Sequence, residues 1–563
     1  MNFFASHRQR WRLLGALAVA ALSSGCSDNS SDNGNDIPDP QVIASRGGVL
    51  DVRLEQAPSP ITVAGRSFTS NVFNGQYIPP VLLLQRGDRM ELELVNRIGA
   101  ADVQIDGPQE SNLHYHGMVI PPAAPGDDVY LQVDAGANYH YRWQVPPNHS
   151  LGTHWYHPHA HGLVEPHILS GMSGMLVIDG LVAQHYPEYT ALRERYLILK
   201  DIDLPGAADG DPKTKTINGL LGGILRMRPG EMQVWNLGNL GADAYFDLAV
   251  GGVQLWEIGR DGNVLQRPKL IDNVFLPPGA RSTVVVVASD TAGVQPVTTL
   301  EVDTGPQGDE NAQVQLATLV VDGAPIDSAL LQARLLLPAQ DQGSIVPTPE
   351  QVAALPITRQ RTIVFSETAD GNTFFLNGQE YDMSRDDVTV TLGDVEEWTL
   401  VNVSGERHVF HIHQLDFLVK SINNQDIDET GMRDVIDIPY QQNGVPGEVK
   451  IIVPFTNPIM VGRFVFHCHI VEHEDKGMMA NIVVQPAGQA AMSPALLRTV
   501  MPAAPANLFT RFAQWTGLRE APPPLIVESD VCRSRDAVAS RPFPFGAPLS
   551  QAAPGLPARS SVR

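Results

Sequence analysis

Three consecutive antiparallel β-sandwich domains are what this sequence predicts, and three observations predict them. A short turn-and-strand pattern occurs three times, about 150 residues apart. Each turn is followed by a run alternating apolar and polar residues, the period of a half-buried strand. No helical segment of bundle length interrupts residues 49–484. With 563 residues and roughly 100–200 per domain, three or four units are expected, and 44 Pro with 49 Gly suit a turn-rich chain.

In chain order, residues 1–26 read as an export signal. Arg8, Arg10 and Arg12 precede an apolar run from Leu13 to Leu22, too short to span a bilayer, and then Ser23-Ser24-Gly25-Cys26. The last three resemble the end of a lipobox, so Cys26 is a candidate for lipidation, the only membrane attachment expected. The arginines are separated by Gln9 and Trp11 and form no twin-arginine pair. Residues 27–45 are a polar linker. Either fate of Cys26 places the protein outside the cytoplasm, in the periplasm or cell envelope.

The first copy of the repeat, in a domain expected over 46–185, has Asn74-Gly75, the turn Gly87-Asp88 and a strand ending at Asn96. The second, over 186–345, has Asn218-Gly219, Gly230-Glu231 and a strand ending at Asn236. The third, over 346–488, has Asn377-Gly378, Gly393-Asp394 and a strand ending at Asn402. Residues 489–563 turn to Ala, Pro, Ser and Arg and are expected to be a weakly ordered tail, in which 507–518 could form one amphipathic helix and Cys532 a free thiol.

The net charge of −23 excludes a basic face for nucleic acid. Three cysteines, Cys26, Cys468 and Cys532, cannot build a disulfide framework or a zinc ribbon. Most of the 17 histidines fall in four short segments: His114-Tyr115-His116, the run Trp155 to Gly162 containing His157 and His159, His408 to His413, and His467 to Met479. Two lie in the first repeat and two in the third, so a shared site must form where these two domains meet. Each segment contains His-x-His, and residues two apart on a strand point to one side. Four such pairs offer eight imidazoles to one metal cluster. In His467-Cys468-His469 the same geometry turns Cys468 to the other side, toward a separate metal with His408, His473 and a distant Met478. A His₂Cys set with a weak Met is that of a blue-copper electron-transfer centre.

In this order the four segments resemble the copper motifs of the multicopper oxidases, the laccase and bilirubin-oxidase superfamily. The resemblance covers roughly residues 70–185 and 360–485, including Arg433-Asp434, and thins in the middle repeat. It implies three cupredoxin-like Greek-key domains and four copper ions. Carried over, His114 and His411 hold a type 2 copper. His116, His157 and His469 hold one ion of a type 3 pair, and His159, His413 and His467 the other. Cys468, His408 and His473 hold type 1 copper with Met478 axial, which implies a low to middle potential for the family. Val409 departs from the family's usual Pro. Asp127 and Glu474 match acidic residues that assist proton delivery in relatives.

The expected activity is one-electron oxidation of phenols or aromatic amines coupled to reduction of dioxygen to water. A metallo-oxidase of Cu(I), Mn(II) or Fe(II) is the nearest alternative, and a non-enzymatic copper-binding protein of this fold is another. A nitrite reductase has fewer domains, and a zinc hydrolase has no use for Met478 or a thiolate between two cluster histidines. His154 and His161 are expected to support neighbouring ligands, His140, His149, His167 and His185 to be structural or surface groups, and Met172 and Met175 to pack.

Overall fold

The computed structural model describes residues 35–487 apart from 100–108, 208–210, 341–342 and 429. Cys26, the export segment, the stretch 507–518 and Cys532 lie outside the described residues. Six sheets follow one another in three pairs, giving three cupredoxin-like sandwiches.

In the first sandwich, the sheet of Arg66–Phe73, Val49–Val63, Arg89–Asn96 and Asn138–Gln144 faces a five-stranded sheet that ends with Gly152–His157 and His114–His116. The alternation in Arg89–Asn96 sends Met90, Leu92 and Leu94 inward against Leu82, Leu84 and Leu176 of the opposite sheet. Each such side chain contributes about 1.5–3 kcal/mol on burial. The third sandwich repeats the plan, with Val395–Asn402 in one sheet and Gly462–Cys468 and His408–Ile412 adjacent in the other. The core of the second sandwich continues into that of the third.

The repeat is a structural unit. Asn74-Gly75, Asn218-Gly219 and Asn377-Gly378 all take positive φ at both residues, as a type I′ hairpin turn requires. The side-chain oxygens of Asn74, Asn218 and Asn377 accept the backbone N–H of Glu55, Ile198 and Val364 on the neighbouring strand. The strand ends correct one expectation. Asn96 and Asn402 close their strands by accepting the N–H two residues on, from Ile98 and Ser404. In the second copy Asn239, not Asn236, does this, from Gly241, because the strand runs on through Met232–Asn239.

The sandwiches are not purely antiparallel. Val49–Gln56 runs parallel to Arg89–Asn96, Arg193–Leu199 to Gln233–Asn239, and Arg359–Phe365 to Glu396–Asn402. In each copy the chain crosses to the other sheet between these two strands, so it returns in the same direction, as Greek-key topology demands. Helices among the described residues have at most seven residues, and none is long and apolar enough to cross a membrane.

Two pairings place the histidines. His114 lies opposite His157 in the first sandwich, and His411 opposite His467 in the third. Each sandwich therefore presents two adjacent His-x-His strands on one side.

Candidate metal centre

The eight imidazoles of the four His-x-His pairs come together between the first and third sandwiches, each at most 2% exposed. Rings from the two sandwiches stack: His114 on His413 and His116 on His411, both with centroids 3.8 Å apart. Nitrogens converge. His467 Nε2 lies 3.3 Å from His159 Nε2 and 3.2 Å from His413 Nε2, and His469 Nε2 lies 3.2 Å from His116 Nδ1.

The outer ring nitrogens are fixed by the chain. Nδ1 of His157, His411 and His467 faces the backbone oxygens of Pro158, Asp434 and Cys468 at 2.8–2.9 Å. His114 Nδ1 faces the Asp127 carboxylate at 2.9 Å. These contacts place the proton on Nδ1 and leave Nε2 with a free lone pair directed inward. Nε2 of His114, His157 and His411 is buried with no protein partner, which is costly unless something else binds it. Burial, then repulsion among the rings, holds His116, His157, His411, His413 and His469 well below the usual imidazole range, and His159 and His467 at about 3. Buried neutral imidazoles with orphaned nitrogens fit copper.

Donor nitrogens of His159, His413 and His467 lie within 4.8 Å of one another, as do those of His114, His411 and His413 and those of His114, His116 and His157. His469 joins through His116. The spacing is so close that His114 and His413 each belong to two sets of three.

On the far side of the strand Gly462–Cys468, the second donor set is complete within the third sandwich. Cys468 Sγ lies 3.8 Å from His408 Nδ1 and 3.6 Å from His473 Nδ1, and the two nitrogens are 3.1 Å apart. Phe374 stacks on His473 at 4.1 Å. Met478 is fully buried, and its carbonyl accepts the Cys468 N–H. Burial pushes the Cys468 thiol up, so the thiolate needs a bound cation to form. Val409 N–H points at Sγ from 3.4 Å, a donation that the family's usual proline cannot make.

Asp127 and Glu474, both at most 1% exposed, take different positions. Asp127 is held by Tyr115 N–H and Gln414 Nε2 as well as His114. Glu474 approaches His467 Nδ1 at 3.0 Å and His159 Nε2 at 3.4 Å, and neither oxygen completes a hydrogen bond. Burial raises it to about 7.

Of the remaining histidines, His154 is buried against Gly117 and Gly262, His161 packs on Tyr381, and His140 is exposed. His149, His167 and His185 are buried, and Met172 and Met175 are core residues. Several site residues have no motif in the sequence. Glu406 Oε1 lies 3.5 Å from His473 Nε2, with Glu367 against it, and Ser404 Oγ lies 2.9 Å from His408 Nε2. Glu406 could have been found, because two residues before His408 it falls on the same side of an extended chain. From the second sandwich, Gly279 abuts the His469 ring and Arg281 grips Asp434.

Two family models described as multicopper oxidase match residues 57–181 and 354–488. The multicopper oxidase mco of Staphylococcus haemolyticus is 25% identical over 478 residues, 81% of this chain and 94% of its own. The cell division protein FtsP of Photorhabdus laumondii is 25% identical over 483 residues, 80% of this chain and 93% of its own. Among solved structures, a multicopper oxidase from Campylobacter jejuni described as a metallo-oxidase superposes with TM-score 0.65 at 22% identity, covering 79% of this chain and 96% of its own.

Proposed function

From the premise that this chain belongs to the multicopper oxidase superfamily, we propose that it oxidises a reductant one electron at a time and reduces dioxygen to water. Four copper ions would be held, one by Cys468, His408 and His473 with Met478, one by His114 and His411, and a pair by the other six cluster histidines. Copper there would supply one-electron oxidation at the thiolate site and four-electron oxygen reduction at the cluster. The observation that carries this reading is eight buried imidazoles converging between two sandwiches, with Nε2 of His114, His157 and His411 left without a protein partner, joined by one strand to a His₂Cys set.

The chain's own residues do the rest. His467-Cys468-His469 links the two donor sets covalently. The packing of the first and third sandwiches excludes bulk water from the cluster. Glu474, raised to about 7 by burial, can hold a proton at neutral pH beside His159 and His467. Asp127 orients His114 and, through Gln414, is tied to the third sandwich. The relatives named as cell division proteins keep a non-enzymatic reading in view, and the complete donor set favours the oxidase.

A phenol-oxidising, laccase-like activity needs an open pocket beside His408 or His473. A cavity of about 590 Å³ lined by Arg86, Asn263, Gln266, Glu350 and Met432 includes none of the donors. Beside His473 there is instead the carboxyl group of Glu406, raised to about 10 by burial and by Glu367 hydrogen-bonded behind it, a proton that a bound cation would displace. Oxygen donors favour a hard cation such as Mn(II) or Fe(II) over Cu(I) or a neutral phenol. Export to the periplasm or cell envelope would follow from the signal segment read at residues 1–26, with Cys26 as the candidate for lipidation.

The test is the visible spectrum of copper-loaded protein, then oxygen uptake with Mn(II), Cu(I) and a phenol. An intense blue band with oxygen consumed and no peroxide released is expected, fastest with Mn(II). No blue band at full copper loading would sink the assignment of Cys468, and a preference for the phenol would return the reductant to the laccase-like class.

A further inference from the structure

The middle sandwich contributes no imidazole to either donor set, yet it places a fully buried arginine beside the cluster. Arg281, the first residue of the strand Arg281–Ala288, is 0% exposed. Its Nε–H donates to Thr153 O in the first sandwich at 3.1 Å, and Nη1 to Gly279 O at 3.0 Å. Nη1 and Nη2 grip the two carboxylate oxygens of Asp434, in the third sandwich, at 2.6 and 2.7 Å. One guanidinium thus ties three sandwiches. A forked arginine–carboxylate pair fixes orientation as well as distance, which a lysine cannot do.

Asp434 touches the cluster at both ends. Its backbone oxygen accepts from His411 Nδ1 at 2.8 Å, and its Oδ1 lies 3.4 Å from His116 Nε2. His411 and His116 are the pair stacked at 3.8 Å. The His411 contact decides which nitrogen of that ring carries the proton, and so whether Nε2 can bind a metal.

The surroundings leave the pair no alternative position. Asp261 Oδ1 accepts Arg281 N–H at 2.9 Å and lies 3.5 Å from Nη1. Asp416, also buried, is held by Asn263 Nδ2 at 2.7 Å. A Cβ on Gly117 would fall 2.4 Å from Arg281 Nη2 and 2.5 Å from Asp434 Oδ2, so the backbone of the first sandwich closes over the ion pair, and φ +79 there already requires glycine.

We propose that Arg281 is the positioning residue of the two-histidine copper site, holding Asp434 so that His411 keeps its Nδ1 proton outward and its Nε2 lone pair toward the metal. This rests on the assignment of His114 and His411 to that copper. A mere pin between sandwiches would instead lower stability and empty the whole cluster, type 2 and type 3 copper alike.

The test uses copper-loaded full-length protein and reads copper per chain, the blue band and the type 2 signal in electron paramagnetic resonance. In Arg281→Met the blue band should persist, while the type 2 signal falls at least threefold and copper drops from four toward three per chain. Arg281→Lys, which keeps the charge without the fork, should retain type 2 copper with an altered hyperfine splitting. Asp434→Asn should reproduce the methionine variant, and it carries the test if that variant does not fold. An unchanged type 2 signal in Arg281→Met and Asp434→Asn, or parallel loss of type 2 and type 3 copper with copper falling toward one per chain, would overturn the inference. Wild-type protein with a blue band but no type 2 signal would overturn the ligand assignment beneath it.

Discussion

The Cys468 site and the histidine cluster share three consecutive residues and are otherwise built in opposite ways. Cys468, His408, His473 and Met478 belong to one sandwich, and their geometry is set by one strand pair and one short helix, Val471–Asp475. The cluster takes four imidazoles from each of two sandwiches and its supporting contacts from all three. A local site depends on its own domain's packing. A shared site depends on how domains dock, so it is the one exposed to changes far from any ligand.

The largest effect that would break this contrast is at the shared residue. Cys468→Ser should abolish the blue band and reduce oxygen uptake to background while the cluster's copper remains, checked by absorption and metal analysis. Survival of the blue band would show that the local site has another sulfur donor. Next is Gly279→Ala, in the sandwich without ligands. Its Cβ would lie 2.9 Å from the His469 ring, and φ is +85 there. Cluster copper should bind more weakly and turnover fall about 10–100-fold, the range for disturbed support of a metal ligand, and the blue band should be kept. If blue and cluster copper fell together, the independence of the two sites would be wrong.

Asp127→Asn sharpens the comparison within the cluster. It keeps a partner for His114 but removes the carboxylate, and turnover should fall about tenfold or more with unchanged binding of reductant, read as kcat against KM. Full turnover would remove Asp127 from proton delivery.

The smallest effect concerns histidines that bind nothing. Burial holds His167 neutral down to about 3, and neither of its ring nitrogens has a partner. The unfolded chain protonates this residue below about 6.5. Between these values the unfolded state binds the extra proton, so stability present above pH 6.5 is lost as pH falls toward 3. His149, held at about 4, acts in the same sense. Its share is on the order of 3 kcal/mol. In thermal melts from pH 7 to pH 4, His167→Met should flatten the acid limb by several degrees. An unaltered limb would place the acid sensitivity elsewhere.

Much of this was legible in the sequence because it is periodic. The three Asn-Gly turns and the alternation after each Gly-acid pair marked the sandwiches, and His-x-His on strands marked eight inward nitrogens. The second repeat was misread at Asn236 because the residues between it and Asn239 continue the strand, and only the hydrogen bond to Gly241 shows where it closes. Arg281, Asp261 and Gly279 were invisible for a different reason. Each acts singly and across a domain junction, where no spacing along the chain encodes the contact. Glu406 lay between these cases, two residues from His408 in an extended segment and legible by the same parity that revealed the ligands.

The cluster's donors at residues 114–159 and 408–469 also set an order of events in the life of the chain. About 250 residues separate His159 from His408, on the order of ten to fifty seconds of synthesis. A nascent or truncated chain ending before His408 would own four of the eight cluster imidazoles, enough to complete no proposed copper site, and none of the thiolate site. Copper held as a cluster would therefore report that synthesis has passed His469 and that the first and third sandwiches have docked, which would make metal content a proofreading mark for the folded molecule.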